Sequence, residues 1–69
     1  MSHDAGRFAR VKGYLDGRYA RESLTRQQVA RELLCSVSLV HLLLASGELE
    51  GCRICDVAHY IVKKEREDG

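Results

Sequence analysis

Apolar residues fall into four helical stripes along the chain, and the breaks between the stripes carry cap and turn residues. In residues 5–22, Phe8, Val11, Leu15 and Tyr19 recur at i, i+3, i+7 and i+11, the spacing of one helix face. Arg7, Arg10, Lys12, Arg18 and Arg21 fall mostly off that stripe. Gly13 and Gly17 each weaken a helix by about 1 kcal/mol relative to alanine, so the segment is expected to be helical, with Gly17 the place where it would break. His3 is expected in a disordered terminus.

Thr25 opens the second stripe. In Thr25-Arg26-Gln27-Gln28 the threonine hydroxyl can accept from the third helical amide while Gln28 reaches back to the cap's own N–H, a capping box. Val29, Ala30 and Leu33 form the apolar face that follows, and the helix should end near Leu34. Cys35-Ser36 reads as a turn, with Ser36 capping a third helix over residues 36–46 whose apolar positions are Leu39, Val40, Leu43 and Leu44. Gly47 suits a left-handed C-terminal cap. Two short helices joined by so tight a turn make a helix-turn-helix. Residues 48–54 should be an extended connection that sends Leu49 and Ile54 into the core. Cys55 or Asp56 then caps a last helix with Val57, Tyr60 and Ile61 inward. Lys63, Lys64 and Arg66 near its end complement the helix dipole, and residues 65–69 should fray. There is no proline to force a break within any of these segments.

Size limits the functions open to such a chain. With 69 residues, it makes one domain, too small for a deep catalytic cleft with its own supporting residues. The net charge of +1 argues against a general polyanion binder. Its distribution is uneven: residues 1–34 carry seven basic and four acidic residues, net +3, and residues 35–69 carry four and six, net −2. A phosphate backbone would therefore meet the first half. Three cysteines, an odd number, and the lack of an apolar leader point away from a secreted disulfide scaffold. The longest apolar run, residues 42–45, cannot span a bilayer. The expectation is a soluble, cytoplasmic protein with reduced thiols.

The segment LTRQQVARELLCSVSLVHLLLASGEL resembles the helix-turn-helix of the excisionase and MerR-like DNA-binding families. Leu24, Thr25, Val29, Ala30, Leu33, Ser36, Val40, Leu43, Leu44, Gly47 and Leu49 fall into that pattern without a gap. Arg53-Ile54 resembles the start of the families' wing, and residues 56–61 resemble their closing helix. The likeness covers residues 24–64. Four features differ: Leu34 stands where the turn often has glycine; Val37, Leu42 and Ala45 stand at outward positions that are often basic; the wing hairpin is missing; and the first segment is an addition.

The resemblance implies double-stranded DNA as partner, with the helix over residues 36–46 in the major groove. Its first helix would brace on the backbone. Ser38 and His41 can hydrogen-bond to bases or phosphates, and Val37 and Leu42 can only meet thymine methyls. Thr25, Arg26, Gln27, Arg31, Ser36 and Arg53 complete the expected DNA-binding set, with Arg7, Arg10 and Lys12 as further phosphate contacts. The competing expectation is a protein-interaction or inhibitory module that uses Val37, His41, Leu42 and Ala45 as a nearly uncharged strip. Cys52-x-x-Cys55-x-x-x-His59, with Cys35 or His41 as fourth ligand, has a spacing that zinc accepts, but free cysteine is commonly a small core residue, so no metal or other cofactor is expected. No pocket or third orienting group accompanies a Cys55–His59 pair, so no enzyme activity is expected.

The expected fold is mainly α: a small helix-turn-helix domain of about four helices, with an extra N-terminal helix and at most a vestigial β-wing. Residues 1–22 would be a basic helical extension, 23–64 the helix-turn-helix domain and 65–69 a frayed tail. The families resembled control transcription or direct site-specific recombination, often on phages. One such module makes few base contacts, so a homodimer or array is expected.

Overall fold

The computed structural model describes residues 3–68, with side-chain surroundings for residues 6–67. Four helices follow one another: α1, His3–Tyr19; α2, Arg26–Leu33; α3, Val37–Ser46; and α4, Ile54–Asp68. Helix α1 packs along α4, and α2 packs on α3. All four feed one core: Val11 and Leu15 from α1, Val29 and Ala30 from α2, Val40 and Leu43 from α3, and Ile54, Val57, Ala58 and Val62 from α4, closed by Leu24 and Leu49 from the connections. The fold is thus the small mainly helical domain expected. Among the described residues no single helix is long and apolar enough to cross a membrane.

The caps act as their sequence predicts. Thr25 Oγ1 accepts from the amide of Gln28 at 3.1 Å, and the Thr25 amide donates to Gln28 Oε1 at 2.9 Å, closing the capping box. Ser36 Oγ accepts from the amide of Leu39 at 3.1 Å. Gly47 ends α3 at φ 85°, where a residue with a Cβ would be strained. Just beyond it, the Leu49 amide reaches the Leu43 carbonyl at 3.1 Å and draws Leu49 into the core.

Four local expectations need correction. Helix α1 starts at His3 and runs unbroken through Gly17 to Tyr19, because its Val11 and Leu15 face is held against the core. Helix α4 begins at Ile54, so neither Cys55 nor Asp56 caps it; the first carbonyl of its ladder is that of Arg53, which accepts from Val57 N–H at 3.0 Å. The same helix continues to Asp68 beyond the point where fraying was expected, with Glu65 gripped by Arg7; Gly69 lies outside the described residues. Leu39, read as an inward position, is 41% exposed at the edge of the buried arc formed by Val40 and Leu43.

Among the described residues the only β pairing is one isolated antiparallel bridge, Ser23 to Arg53. The Leu24 amide donates to the Cys52 carbonyl and the Ile54 amide to the Glu22 carbonyl, both at 2.9 Å. Strand alternation then turns Ser23 and Arg53 outward and sends Leu24 and Ile54 into the core.

Leu34 occupies the slot that glycine usually fills at a helix C-terminus. Its φ and ψ are 57° and 46°. Its amide donates to the Arg31 carbonyl, and the Cys35 amide donates to the Ala30 carbonyl, the bond pair of a Schellman ending. A leucine there carries the Cβ–carbonyl clash of the left-handed region, about 1–2 kcal/mol, while its side chain is 92% exposed and packs on nothing that would offset the cost. Replacing Leu34 with glycine should therefore raise the unfolding free energy of the monomer by about 1 kcal/mol in urea denaturation. Leu15→Ala, which empties a side chain with no exposed surface, should lower it by about 2–5 kcal/mol. Should the second change cost under 1 kcal/mol, α1 would not be part of the core.

Candidate nucleic-acid interface

The candidate surface consists of the two helices on either side of the turn. Their axes bend by 98° at the turn, within the range of helix-turn-helix units. Neither α2 nor α3 has an acidic residue in its first turn, so the positive end of each helix dipole is uncompensated by a side chain. Thr25 and Ser36 spend one lone pair each on capping, and each hydroxyl keeps its own O–H to donate.

On α3, Val37, His41, Ala45, Ser38 and Leu42 follow one another round the exposed side, opposite Val40 and Leu43. The outward placement expected of all five is what the structure shows. No lysine, arginine or carboxylate lies between Glu32 and Glu48, so this side offers hydroxyl, imidazole and hydrocarbon only. Arg26, Gln27 and Arg31 are exposed on α2, and Thr25 and Ser36 are exposed at the caps.

The cations divide into two sets. Arg7 grips Glu65 through two bonds, at 2.8 and 2.6 Å. Lys12 donates to Asp16 at 2.9 Å, Arg18 to Glu32 at 2.8 Å, and Lys64 meets Glu67 at 3.3 Å. Arg53, on the bridge, donates to Asp56 at 3.4 Å. By contrast Arg10, Arg21, Arg26, Arg31 and Lys63 have no carboxylate partner among the described residues. Three of the phosphate contacts read from the sequence, Arg7, Lys12 and Arg53, are thus engaged within the molecule. Arg26, Arg31 and Arg10 remain open. Arg21 was not among the expected contacts; the signal for it is its place just before the α2 cap.

Asp56 is buried at the start of α4, where the helix dipole favours its charge. It leaves no room opposite Gly51: a Cβ there would stand 2.7 Å from Asp56 Oδ2. A larger residue at 51 would push the Asp56 carboxylate aside. The zinc alternative finds no assembled site. Among the described residues no three His, Cys, Asp or Glu side chains are placed to hold a metal ion. His59 instead stacks on Phe8 with ring centres 4.3 Å apart, joining α4 to α1, and Cys35 and Cys52 pack against the core. Tyr19 donates to Glu32, the carboxylate that also takes Arg18, and so ties the end of α1 to α2.

No protein-family model matches the chain, and neither a curated protein nor a solved structure is significantly similar to it.

The Arg7–Glu65 pair gives a pH-dependent prediction. Arg7's hydrogen bonds hold the Glu65 carboxyl below its ordinary value. A lowered carboxylate contributes stability that is complete above its unfolded value and is lost as pH falls through the lowered one. Glu65→Gln should therefore lower the melting temperature slightly near pH 7 to 8, where the pair contributes, and flatten its fall below about pH 4.5, so that the two proteins converge in acid. An identical acid profile in both proteins would show that the pair contributes nothing.

Proposed function

We propose that this chain is a small cytoplasmic DNA-binding protein, a transcriptional regulator or a factor that directs site-specific recombination, of the kind phages and other mobile elements encode. The observation that carries this reading is the division of the cations. Carboxylates take Arg7, Lys12, Arg18, Arg53 and Lys64, while Arg21, Arg26 and Arg31, before and along α2, have none among the described residues and outnumber the open cations of α1 and α4, Arg10 and Lys63. Backbone phosphates would meet these arginines, the Thr25 hydroxyl and Gln27, with the α2 N-terminus pointing at the same anion. Ser36, Ser38 and His41 would stand nearest the base edges as α3 enters the major groove. Val37 and Leu42 would add contact to thymine methyls. Arg53 would reach phosphate only by leaving Asp56, so it ranks below the α2 arginines. The resemblance of residues 24–64 to excisionase and MerR-like sequences supports the choice of regulator or recombination factor.

A second reading is favoured by Leu42, which is 65% exposed on an uncharged helix face. Here Val37, His41, Leu42 and Ala45 would bind another protein, as an inhibitory module does.

Fluorescence anisotropy with duplex fragments of the source genome, at low and moderate salt, separates the two. Under the DNA reading, Arg26→Ala and Arg31→Ala each weaken binding to all fragments and lower the slope of log K against log salt by about one. Ser38→Ala and His41→Ala alter preference between fragments. Absence of duplex binding at low salt, together with a protein complex that Leu42→Glu abolishes in a folded chain, would replace this reading with the second.

A further inference from the structure

An open groove of about 480 Å³ runs beside the turn, between the end of α2, the start of α3 and the C-terminal half of α4. Leu33, Leu39, Leu43, Tyr60 and Ile61 line it, and Leu34 stands at its edge. We propose that this groove is a self-association surface, in which two copies of the chain pack about a two-fold axis and each inserts its Leu34 into the groove of the other. The proposal deepens the DNA-binding reading by saying how the module pairs.

Leu34 is the first ground. It holds a left-handed backbone that glycine would adopt without strain, and its side chain is almost wholly exposed. The Schellman bonds hold the backbone in place, but almost nothing within the monomer covers the side chain. Strain of this kind persists where something else stabilises it, and burial in a partner would do so.

The second ground is charge. Every ionised group on the rim is already answered: Glu32 by Arg18 and Tyr19, Glu65 by Arg7, and Lys64 by Glu67. A charged partner would have to displace these pairs, so an apolar, uncharged occupant fits the groove better. The chain carries such a segment itself, because residues 33–47 contain no lysine, arginine or carboxylate. Protrusion and groove lie side by side on the same surface, as a two-fold contact requires. The net charge of +1 leaves little repulsion between copies.

Area is the third. A stable interface takes about 800 Å² from each partner, roughly a sixth of the 4726 Å² surface of this chain. The molecule measures 35 × 28 × 17 Å, so a contact of that size would extend beyond the groove onto the surface round it. Leu39 lies about 100° to 160° round α3 from Ser38, His41 and Ala45, so pairing through the groove leaves those residues open to DNA.

Sedimentation equilibrium of the full chain without DNA tests the proposal, and it is read independently of whether DNA binds. The wild type should show a reversible monomer–dimer equilibrium. Leu34→Gly and Leu34→Asn, both at ease in the left-handed region, should weaken the dimer at least tenfold with an unchanged circular dichroism spectrum. Ala45→Glu, on the far side of α3, should leave the dimer intact. A chain that stays monomeric at every concentration would overturn the proposal and leave the groove to a different protein. A dimer that survives both Leu34 changes, or that Ala45→Glu disrupts, would overturn it equally.

Discussion

The hydrogen bonds from Leu24 N–H to the Cys52 carbonyl and from Ile54 N–H to the Glu22 carbonyl hold the two halves of this chain in place. They join the connection before α2 to the connection before α4. Thr25 follows within one residue and caps α2; α4 starts at Ile54 itself. Fixing the two connections therefore fixes where both helices begin. A domain this small has little apolar area to spare, and its α2–α3 pair could not bury Val29, Val40 and Leu43 alone. The bridge brings that pair onto the α1–α4 pair, so that Leu15, Val57 and Leu49 complete the same core.

Electrostatics follow from this packing. Once α1 lies along α4, Arg7 meets Glu65, and the end of α1 brings Arg18 and Tyr19 to Glu32. The carboxylates near these interfaces are consumed by α1 and α4 cations, and α2 keeps Arg26 and Arg31 open. A near-neutral chain can in this way present a cationic helix without a high net charge. Helix α3 contributes no cation, so any affinity for DNA would come from α2 and any specificity from a few groups on α3.

Much of the local structure was legible in the sequence because its determinants are local. The Thr25–Gln28 box, the Ser36 cap and the Gly47 ending each depend on residues within one helical turn, and each has the geometry its sequence implies. What could not be read depends on contacts distant in sequence. Gly17 leaves α1 unbroken because tertiary packing outweighs its weak propensity. Leu39 follows the apolar pattern yet ends at a groove, since no neighbouring element covers that angle of α3. The pairing of Arg7, Lys12 and Arg53 removes them as free cations; Lys12–Asp16 and Arg53–Asp56 stand at helical spacing in the sequence, while Arg7–Glu65 bridges residues 58 apart. Leu34 was visible as an unusual residue at the turn, but its left-handed backbone and its exposure emerge only from the fold.

Amide chemical-shift mapping of the isotope-labelled chain, titrated with a duplex that it binds, tests the central claim most directly, because it reports every helix at once. If α2 and α3 meet the duplex, the largest perturbations fall on Arg26, Gln27, Arg31, Ser36, Ser38 and His41, with the Tyr60 and Ile61 amides in the groove almost unmoved. Perturbations concentrated on α4 and the groove, with α2 and the first turn of α3 silent, would contradict it.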